Sequence, residues 1–261
     1  MIKYLLLLLL LSSCVSQPDL RPRALIQSES LLQKGVTAYQ QDNYTLAINL
    51  FQQAKIAYQS IDNQQGQTIA SLNLIEAALA INQLSVVETQ LSQLSQHPKH
   101  KLLIARLLFA KKEYPKALQA LPSLNNTKSS IEQRLTHLKF SLFAHAETVD
   151  TQLQQLNALS QQTPFNTAQQ ALFNRLKALK YLQEKKKQKA LTLMTSSLNY
   201  YQQQADRRAI ATCLQEMAAI QIANHQLLKA KKTLKRALFI RQWLKDTTKS
   251  EELQNQLNIL R

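Results

Sequence analysis

The sequence predicts an all-α solenoid, in which about six antiparallel helix hairpins stack side by side and a C-terminal helix caps the last one. Two glycines and six prolines in 261 residues leave few positions for the tight turns of a β-rich fold. Leu, Ala, Gln and Lys, which are good helix formers, dominate the composition. Apolar residues also recur three and four apart in paired segments with short breaks between them, which is typical of helical hairpins.

The clearest hairpin covers residues 31–57 and breaks at Asp42-Asn43. Each half places its small and apolar residues on one helix face: Leu32, Gly35 and Ala38 in the first half, and Ala47, Leu50, Phe51 and Ala54 in the second. A glycine opposite Phe51 would let the two helices approach closely. One such hairpin cannot bury its apolar face alone, so further copies are expected.

This unit resembles a tetratricopeptide repeat (TPR). The resemblance is carried by Gly35 in the first helix, Tyr44 at the start of the second, and the run of Ala47, Phe51 and Ala54. It implies a TPR-like α-solenoid whose first helices line a concave surface, where peptides or partner helices dock.

The later hairpins match this pattern with declining similarity. They are predicted at residues 65–82 with 85–96, 102–112 with 115–121, 131–145 with 149–161, 168–184 with 188–204, and 209–224 with 228–245, followed by a capping helix at 250–260. Ser85, with Glu88 three residues later, predicts a capping box at the start of the fourth helix. The 40-residue spacing of Ala190 and Ala230 predicts longer helices near the C-terminus.

The N-terminus reads as an export signal with a lipid-attachment site. Lys3 precedes an apolar run at 5–11 that is too short for a membrane span of about 20 residues. The end of that run, at 11–14, resembles the lipobox of a bacterial lipoprotein, which implies acyl chains such as palmitate on Cys14. An ordinary signal peptide with a chance cysteine is the alternative. We expect residues 1–13 to be the signal peptide, 14–25 a flexible tether, and 26–261 the repeat domain.

Val15 indicates whether the lipid would anchor the protein to the inner or the outer membrane. In sorted lipoproteins of diderm bacteria, an aspartate directly after the lipidated cysteine favours the inner membrane. Val15 therefore implies the outer membrane, with the protein facing the periplasm. We expect no nucleic-acid partner, because the chain is predicted to be exported.

Catalytic and metal-binding patterns are missing from the sequence. Glycines at positions 35 and 66 alone exclude a P-loop or a G-x-S-x-G motif, and the five histidines form no H-E-x-x-H pattern. We expect no enzyme activity, no metal and no cofactor apart from the lipid on Cys14. Cys213 is expected to lie buried in the core, with an intermolecular disulfide as the alternative.

Two kinds of partner site are predicted. The concave groove is expected to include Leu32, Val36, Tyr39, Arg106, Phe109, Leu179, Leu182, Gln183 and Ile222. Outward-facing cations that could contact anionic groups are Lys185, Lys186, Lys187, Lys232, Lys235, Arg236 and Arg241. The alternative is that these cations lie on a convex face that contacts only solvent. They are far from Cys14 along the chain, which leaves open whether they reach the membrane. The C-terminal repeats are expected to be the end most free to meet a partner.

Two functions remain in view. The first is a lipid-anchored, non-enzymatic adaptor that docks proteins or peptides of an envelope assembly, secretion, pilus or wall-remodelling system. The second is direct binding of an anionic envelope polymer or lipid headgroups, which the net charge of +16 favours. Removal of residues 1–13 takes away one charged side chain, Lys3, and leaves +15.

Overall fold

The fold is all-helical throughout the part of the chain that the computed structural model describes, residues 21–124 and 129–260. The predicted signal peptide and Cys14 lie outside these residues. The described helices are α1 (Arg23–Gln40), α2 (Tyr44–Gln59), α3 (Gln64–Ala80), α4 (Leu84–Ser92), α5 (His100–Ala110), α6 (Tyr114–Ala120), α7 (Ile131–Phe143), α8 (Val149–Gln162), α9 (Thr167–Gln183), α10 (Lys187–Gln203), α11 (Arg207–Ala223), α12 (Leu227–Trp243) and α13 (Thr247–Ile259).

Successive helices pair as six hairpins, and α13 packs on the last of them. The predicted all-α solenoid with a C-terminal helix is therefore confirmed. α1 begins at Arg23, three residues before the predicted start of the domain, because the Pro22 carbonyl already accepts bonds from the Leu25 and Ile26 amides.

The first hairpin has the close contact that its small residues predict. A Cβ atom placed on Gly35 would lie 2.6 Å from the Phe51 ring, and Phe51 is buried. A Cβ atom on Gly66 would likewise lie 2.2 Å from the Tyr58 ring, between α2 and α3. Both glycines therefore serve helix packing.

The tight turns between helices use residues other than glycine. Nine described residues have a positive φ, and none is glycine: Asp42, Asp62, Asn82, Lys112, His145, Lys185, Ala205, His225 and Lys245. The amide after each such turn residue bonds to a carbonyl five positions earlier, as from Asn43 to Ala38 at 2.9 Å. This backbone bond closes the helix end. A glycine-poor chain can therefore still form short αα-hairpins.

The same turn corrects one prediction. Ser85 does not cap α4: the helix begins at Leu84, its N-cap is Gln83, and no side chain makes the cap hydrogen bond. Asn82, with φ of 62°, closes the preceding turn. The turn at Asn82, two residues before the first residue of α4, fixes the start and leaves Ser85 inside the helix.

The two ends of the stack meet. Leu244, just after α12, packs in one buried cluster with Tyr44 and Ile81 from the first two hairpins. Lys112 Nζ lies 2.9 Å from Glu252 Oε1, so α13 also contacts the turn between α5 and α6. The expectation that the C-terminal repeats are the free end is therefore wrong, because the superhelix curls far enough to bring them against the first hairpin.

Candidate functional site

The closed stack surrounds a concave chamber of about 1410 Å³. This exceeds the roughly 300–1,000 Å³ of ordinary small-molecule pockets. The first helix of every hairpin, together with α13, contributes to its wall. Its principal lining residues are Tyr39, Tyr44, Leu79, Phe109, Tyr114, Lys139, Phe143, Arg175, Leu179, Arg207, Arg208, Glu216, Ile222, Arg241, Asp246 and Glu252.

One side of the chamber is aromatic. The ring centroid of Phe109 lies 5.1 Å from that of Tyr114 and 5.0 Å from that of Phe143. Tyr39 and Tyr44 form a second edge-to-face pair at 5.2 Å. Such rings offer apolar surface with little conformational freedom to lose on binding.

Arg175 and Glu216 form a bidentate ion pair between α9 and α11. Arg175 Nε lies 2.6 Å from Glu216 Oε2, and Nη2 lies 2.7 Å from Oε1. Burial lowers the pKa of Arg175, but the charge of Glu216 and its hydrogen bonds outweigh burial, so the pKa is raised overall. The Arg175 guanidinium therefore stays charged, and its bonds to Glu216 link two repeats.

Lys139 of α7 is a chamber cation that forms no ion pair with the described residues. Its Nζ lies 4.5 Å from the Phe109 ring centroid, and among the described residues no carboxylate oxygen lies within 4.0 Å of it. Burial, followed by the nearby charge of Arg175, lowers the pKa of Lys139 to about 8. The ammonium group is thus mostly charged at pH 7 and poorly solvated.

Arg208 of α11 is a second chamber cation that has no described carboxylate within salt-bridge distance. Its Nη1 lies 3.4 Å from the Tyr39 hydroxyl, and its guanidinium carbon lies 5.5 Å from the Tyr44 ring centroid. The Tyr44 hydroxyl donates to Asp42 Oδ1 at 2.6 Å. Arg208 is therefore held by aromatic neighbours and forms no direct ion pair with a carboxylate of the described residues.

Arg241 corrects the predicted set of outward-facing cations. It is buried, with Nη1 3.1 Å from Asp246 Oδ2 and Nη2 2.8 Å from Thr212 Oγ1. Burial is the main cause that lowers the pKa of Arg241 and raises that of Asp246. Arg241 lies four residues after buried Ala237, so helical spacing already places it on the inner face of α12.

The structure distributes the nine predicted groove residues between the chamber and the packing around it. Four of them line the chamber: Tyr39, Phe109, Leu179 and Ile222. Three pack against buried clusters: Leu32, Val36 and Leu182. Arg106 forms an ion pair with Glu76, and Gln183 donates to the Leu142 carbonyl. Sequence reasoning missed Lys139, Arg175 and Arg208. A usable signal for the first two was a cation directly beside buried leucines in a first helix.

The six remaining predicted surface cations differ in their surroundings. Lys186 Nζ lies 2.7 Å from Glu184 Oε2, and Lys187 donates to the Ala223 carbonyl. Lys185 occupies the left-handed position of its turn. Lys232, Lys235 and Arg236 are exposed on the outward side of α12. Lys232, Lys235 and Arg236 are therefore more available to an anionic partner than the other three.

Other predicted features can be located as well. Cys213 is fully buried, as expected, and burial is the main cause that raises its pKa to about 11. Within residues 21–124 and 129–260, no group of three or more His, Cys, Asp or Glu side chains is placed to hold a metal ion. In the same residues, no helix has the length and apolar character needed to cross a membrane.

Neither a scan against protein-family models nor a search of curated proteins finds a match for this chain.

Proposed function

We propose that this protein is a lipid-anchored, non-enzymatic adaptor of the bacterial cell envelope, and that its chamber holds a segment of a partner protein. The single observation that carries the proposal is the state of Lys139 and Arg208. Both face the chamber, and neither has a carboxylate partner among the described residues, whereas Arg175, Arg207 and Arg241 each have one.

Uncompensated cations in a poorly solvated space favour an anionic ligand, because an added carboxylate removes the cost of leaving them unpaired. The aromatic side of the chamber, with Phe109, Tyr114 and Phe143, complements apolar side chains. A partner segment that carries both acidic and apolar residues meets both conditions. The chamber volume suits a short helix or an extended peptide.

The anchor is the second half of the proposal. Acylation of Cys14 would hold the domain at a membrane, and two acyl chains suffice for stable attachment. Val15 favours the periplasmic face of the outer membrane. The partner would then belong to an envelope assembly, secretion, pilus or wall-remodelling system.

A photo-crosslinking experiment tests the chamber. A benzophenone amino acid replaces Ala219, an exposed residue of the chamber wall, and in a matched control it replaces Gln202, which is exposed on α10. In intact cells we expect a discrete adduct from position 219 only. Combined Lys139→Gln and Arg208→Gln substitutions should reduce that adduct at least tenfold, because charged hydrogen bonds contribute about 1.5–3 kcal/mol each. Equal adducts at both positions, or an adduct indifferent to the two substitutions, would contradict the proposal.

A labelling experiment tests the anchor. Cells grown with labelled palmitate should incorporate it into the wild-type protein and not into Cys14→Ala. A Cys213→Ala variant is the control, since that thiol is buried in the core. Undiminished label in Cys14→Ala, together with unchanged outer-membrane fractionation, would exclude the anchor.

A further inference from the structure

One outward strip of α12 combines large apolar side chains with cations. We name it the α12 outer face, and its members, which recur three and four residues apart, are Leu228, Lys232, Lys235, Arg236, Phe239 and Trp243. The opposite side of the helix is buried through Ala230, Leu234 and Ala237. The outer face is therefore separate from the chamber and from the core.

The apolar members are unusually exposed. Leu228 is 78% exposed, Phe239 69% and Trp243 51%. Trp243 stacks on Arg207, whose guanidinium carbon lies 4.3 Å from the ring centroid, so the ring is held in place at the surface. A single exposed leucine needs no explanation, but three large apolar groups along one strip indicate a contact surface.

The neighbouring repeat shows that the solenoid does not require this composition. α10 and α12 have the same length and start 40 residues apart, so their positions correspond one to one. The equivalent strip on α10 consists of Gln188, Thr192, Thr195, Ser196, Asn199 and Gln203. Every one of these residues is polar and uncharged. Of these two corresponding strips, only the one on α12 therefore carries large apolar groups and cations.

We propose that the α12 outer face contacts the surface of an anionic lipid bilayer. Phe239 and Trp243 would enter the boundary between headgroups and acyl chains, and Lys232, Lys235 and Arg236 would contact phosphates. Helices that lie on membranes combine Lys and Arg with Trp, Phe and Leu in this way. A protein partner fits less well, because lysine is depleted in the cores of protein interfaces.

The closed superhelix brings this face toward the anchored end of the chain. Arg207, which stacks on Trp243, also pairs with Asp42 in the turn after α1. α1 is roughly 27 Å long, and the nine residues from Cys14 to Arg23 can span at most about 30 Å. A bilayer that holds the lipid of Cys14 is therefore within reach of α12. The proximity of α12 to this bilayer rests on the proposed lipid anchor at Cys14, whereas the composition of the α12 outer face is independent of it and of partner docking in the chamber.

The only tryptophan of the chain, Trp243, provides the probe. The vesicle assay uses the chain from Val15 onward, which carries no lipid. This chain keeps every residue of the apolar clusters of the described fold, because those clusters involve only residues 25–260. We would mix it with vesicles of phosphatidylcholine, with or without about 30% phosphatidylglycerol, whose acyl chains are brominated near the headgroup. Trp243 fluorescence should shift to the blue and be quenched on the anionic vesicles, and much less on phosphatidylcholine alone.

Variants distinguish binding through the α12 outer face from attraction by the overall positive charge of the protein. Lys232→Gln, Lys235→Gln and Arg236→Gln together should lower the vesicle partition coefficient about 100-fold, since each cation near an anionic membrane contributes about fivefold. Phe239→Ser should lower it about tenfold. The matched control, Lys99→Gln with Lys101→Gln and Lys116→Gln, removes the same charge from exposed positions elsewhere and should have a small effect.

Circular dichroism would confirm that each variant is folded before binding is measured. An equal loss of binding in the control triple variant would overturn the proposal, as would vesicle binding without quenching of Trp243. Failure to bind anionic vesicles at all would also overturn it and would leave an acidic protein as the occupant of this face.

Discussion

The Arg207 guanidinium lies 2.7 Å from the Asp42 carboxylate and joins the first residue of α11 to the turn after α1, 165 positions earlier. In an open solenoid each repeat contacts only its neighbours. This pair, with the buried cluster around Leu244, adds a contact between the two ends. The stability of the first hairpin is therefore coupled to that of the last.

Substitution of Leu244 tests this closure. Leu244→Ala removes a buried side chain that joins the ends, so it should cost about 2–4 kcal/mol of unfolding free energy and increase the radius of gyration. Urea denaturation and small-angle X-ray scattering measure the two effects. Leu156→Ala, in a similarly buried site within α8, should cost a similar amount without expansion. Equal radii for both variants would show that Leu244 does not close the stack.

The internal ion pair gives a second prediction. Glu216→Gln leaves the Arg175 guanidinium without its carboxylate partner in a poorly solvated position, so the free energy of unfolding should fall by about 3 kcal/mol. Replacement of both residues by methionine should recover most of that loss, because it removes the buried charge as well. Glu113→Gln, which breaks the exposed pair with Lys116, should have an effect below about 1 kcal/mol. If Glu216→Gln were as mild as this control, the pair would be well solvated.

Lys139 provides a pH-dependent prediction. Its folded pKa of about 8 lies below the unfolded value of about 10.4, so the unfolded chain binds more protons between these pH values. Wild-type stability should therefore gain a contribution as pH rises from 8 to 10.4. Lys139→Met should be more stable at pH 7 by on the order of 2 kcal/mol, and this advantage should shrink by pH 10.

Urea denaturation at the two pH values measures the effect, and Lys235→Met, at an exposed position, is the control. A pH-independent advantage of Lys139→Met would mean that the ammonium group is not penalised by burial. If Lys139→Met is more stable than the wild type but loses the crosslinked adduct from position 219, Lys139 acts as a binding residue. Such residues are often retained at a cost in stability.

A fourth prediction concerns the turns. Ala205 has φ of 51° and no side chain that could stabilise the left-handed conformation. Ala205→Gly should raise the free energy of unfolding by about 1 kcal/mol, because glycine adopts this conformation without steric cost. Ala219→Gly, on an exposed face within α11, should lower it by about 1 kcal/mol. Thermal melts compare the two, and destabilisation by Ala205→Gly would disprove the backbone argument.

Local patterns predict the structure where the decisive contact joins neighbouring helices. Gly35 was expected opposite Phe51, and that contact exists because residues of one hairpin are placed by helical periodicity and a short turn alone. α4 does not start at Ser85, since the backbone turn at Asn82 takes precedence over a side-chain capping pattern. Arg241 is buried although a charged side chain favours the surface, because its spacing from Ala237 places it on the inner face of α12.

The chamber illustrates what local patterns leave open. Tyr39, Phe109, Leu179 and Ile222 were expected in a concave groove and do line it, since the first helices of all repeats face the same way. The uncompensated charge of Lys139 could not be predicted. This charge depends on which carboxylates the superhelix brings near Lys139. Their positions follow from small rotations between repeats, which accumulate over six hairpins.

The sequence by itself determined the helices, their pairing into hairpins and the burial of Cys213, because helix spacing, apolar periodicity and short turns act over a few residues. Only the tertiary structure decided that the stack closes, that Arg207 meets Asp42, and that α12 carries its cations and Trp243 beside the first hairpin. The physical reason is that superhelical curvature is a sum of small packing angles between repeats. That sum brings together residues that no local pattern relates.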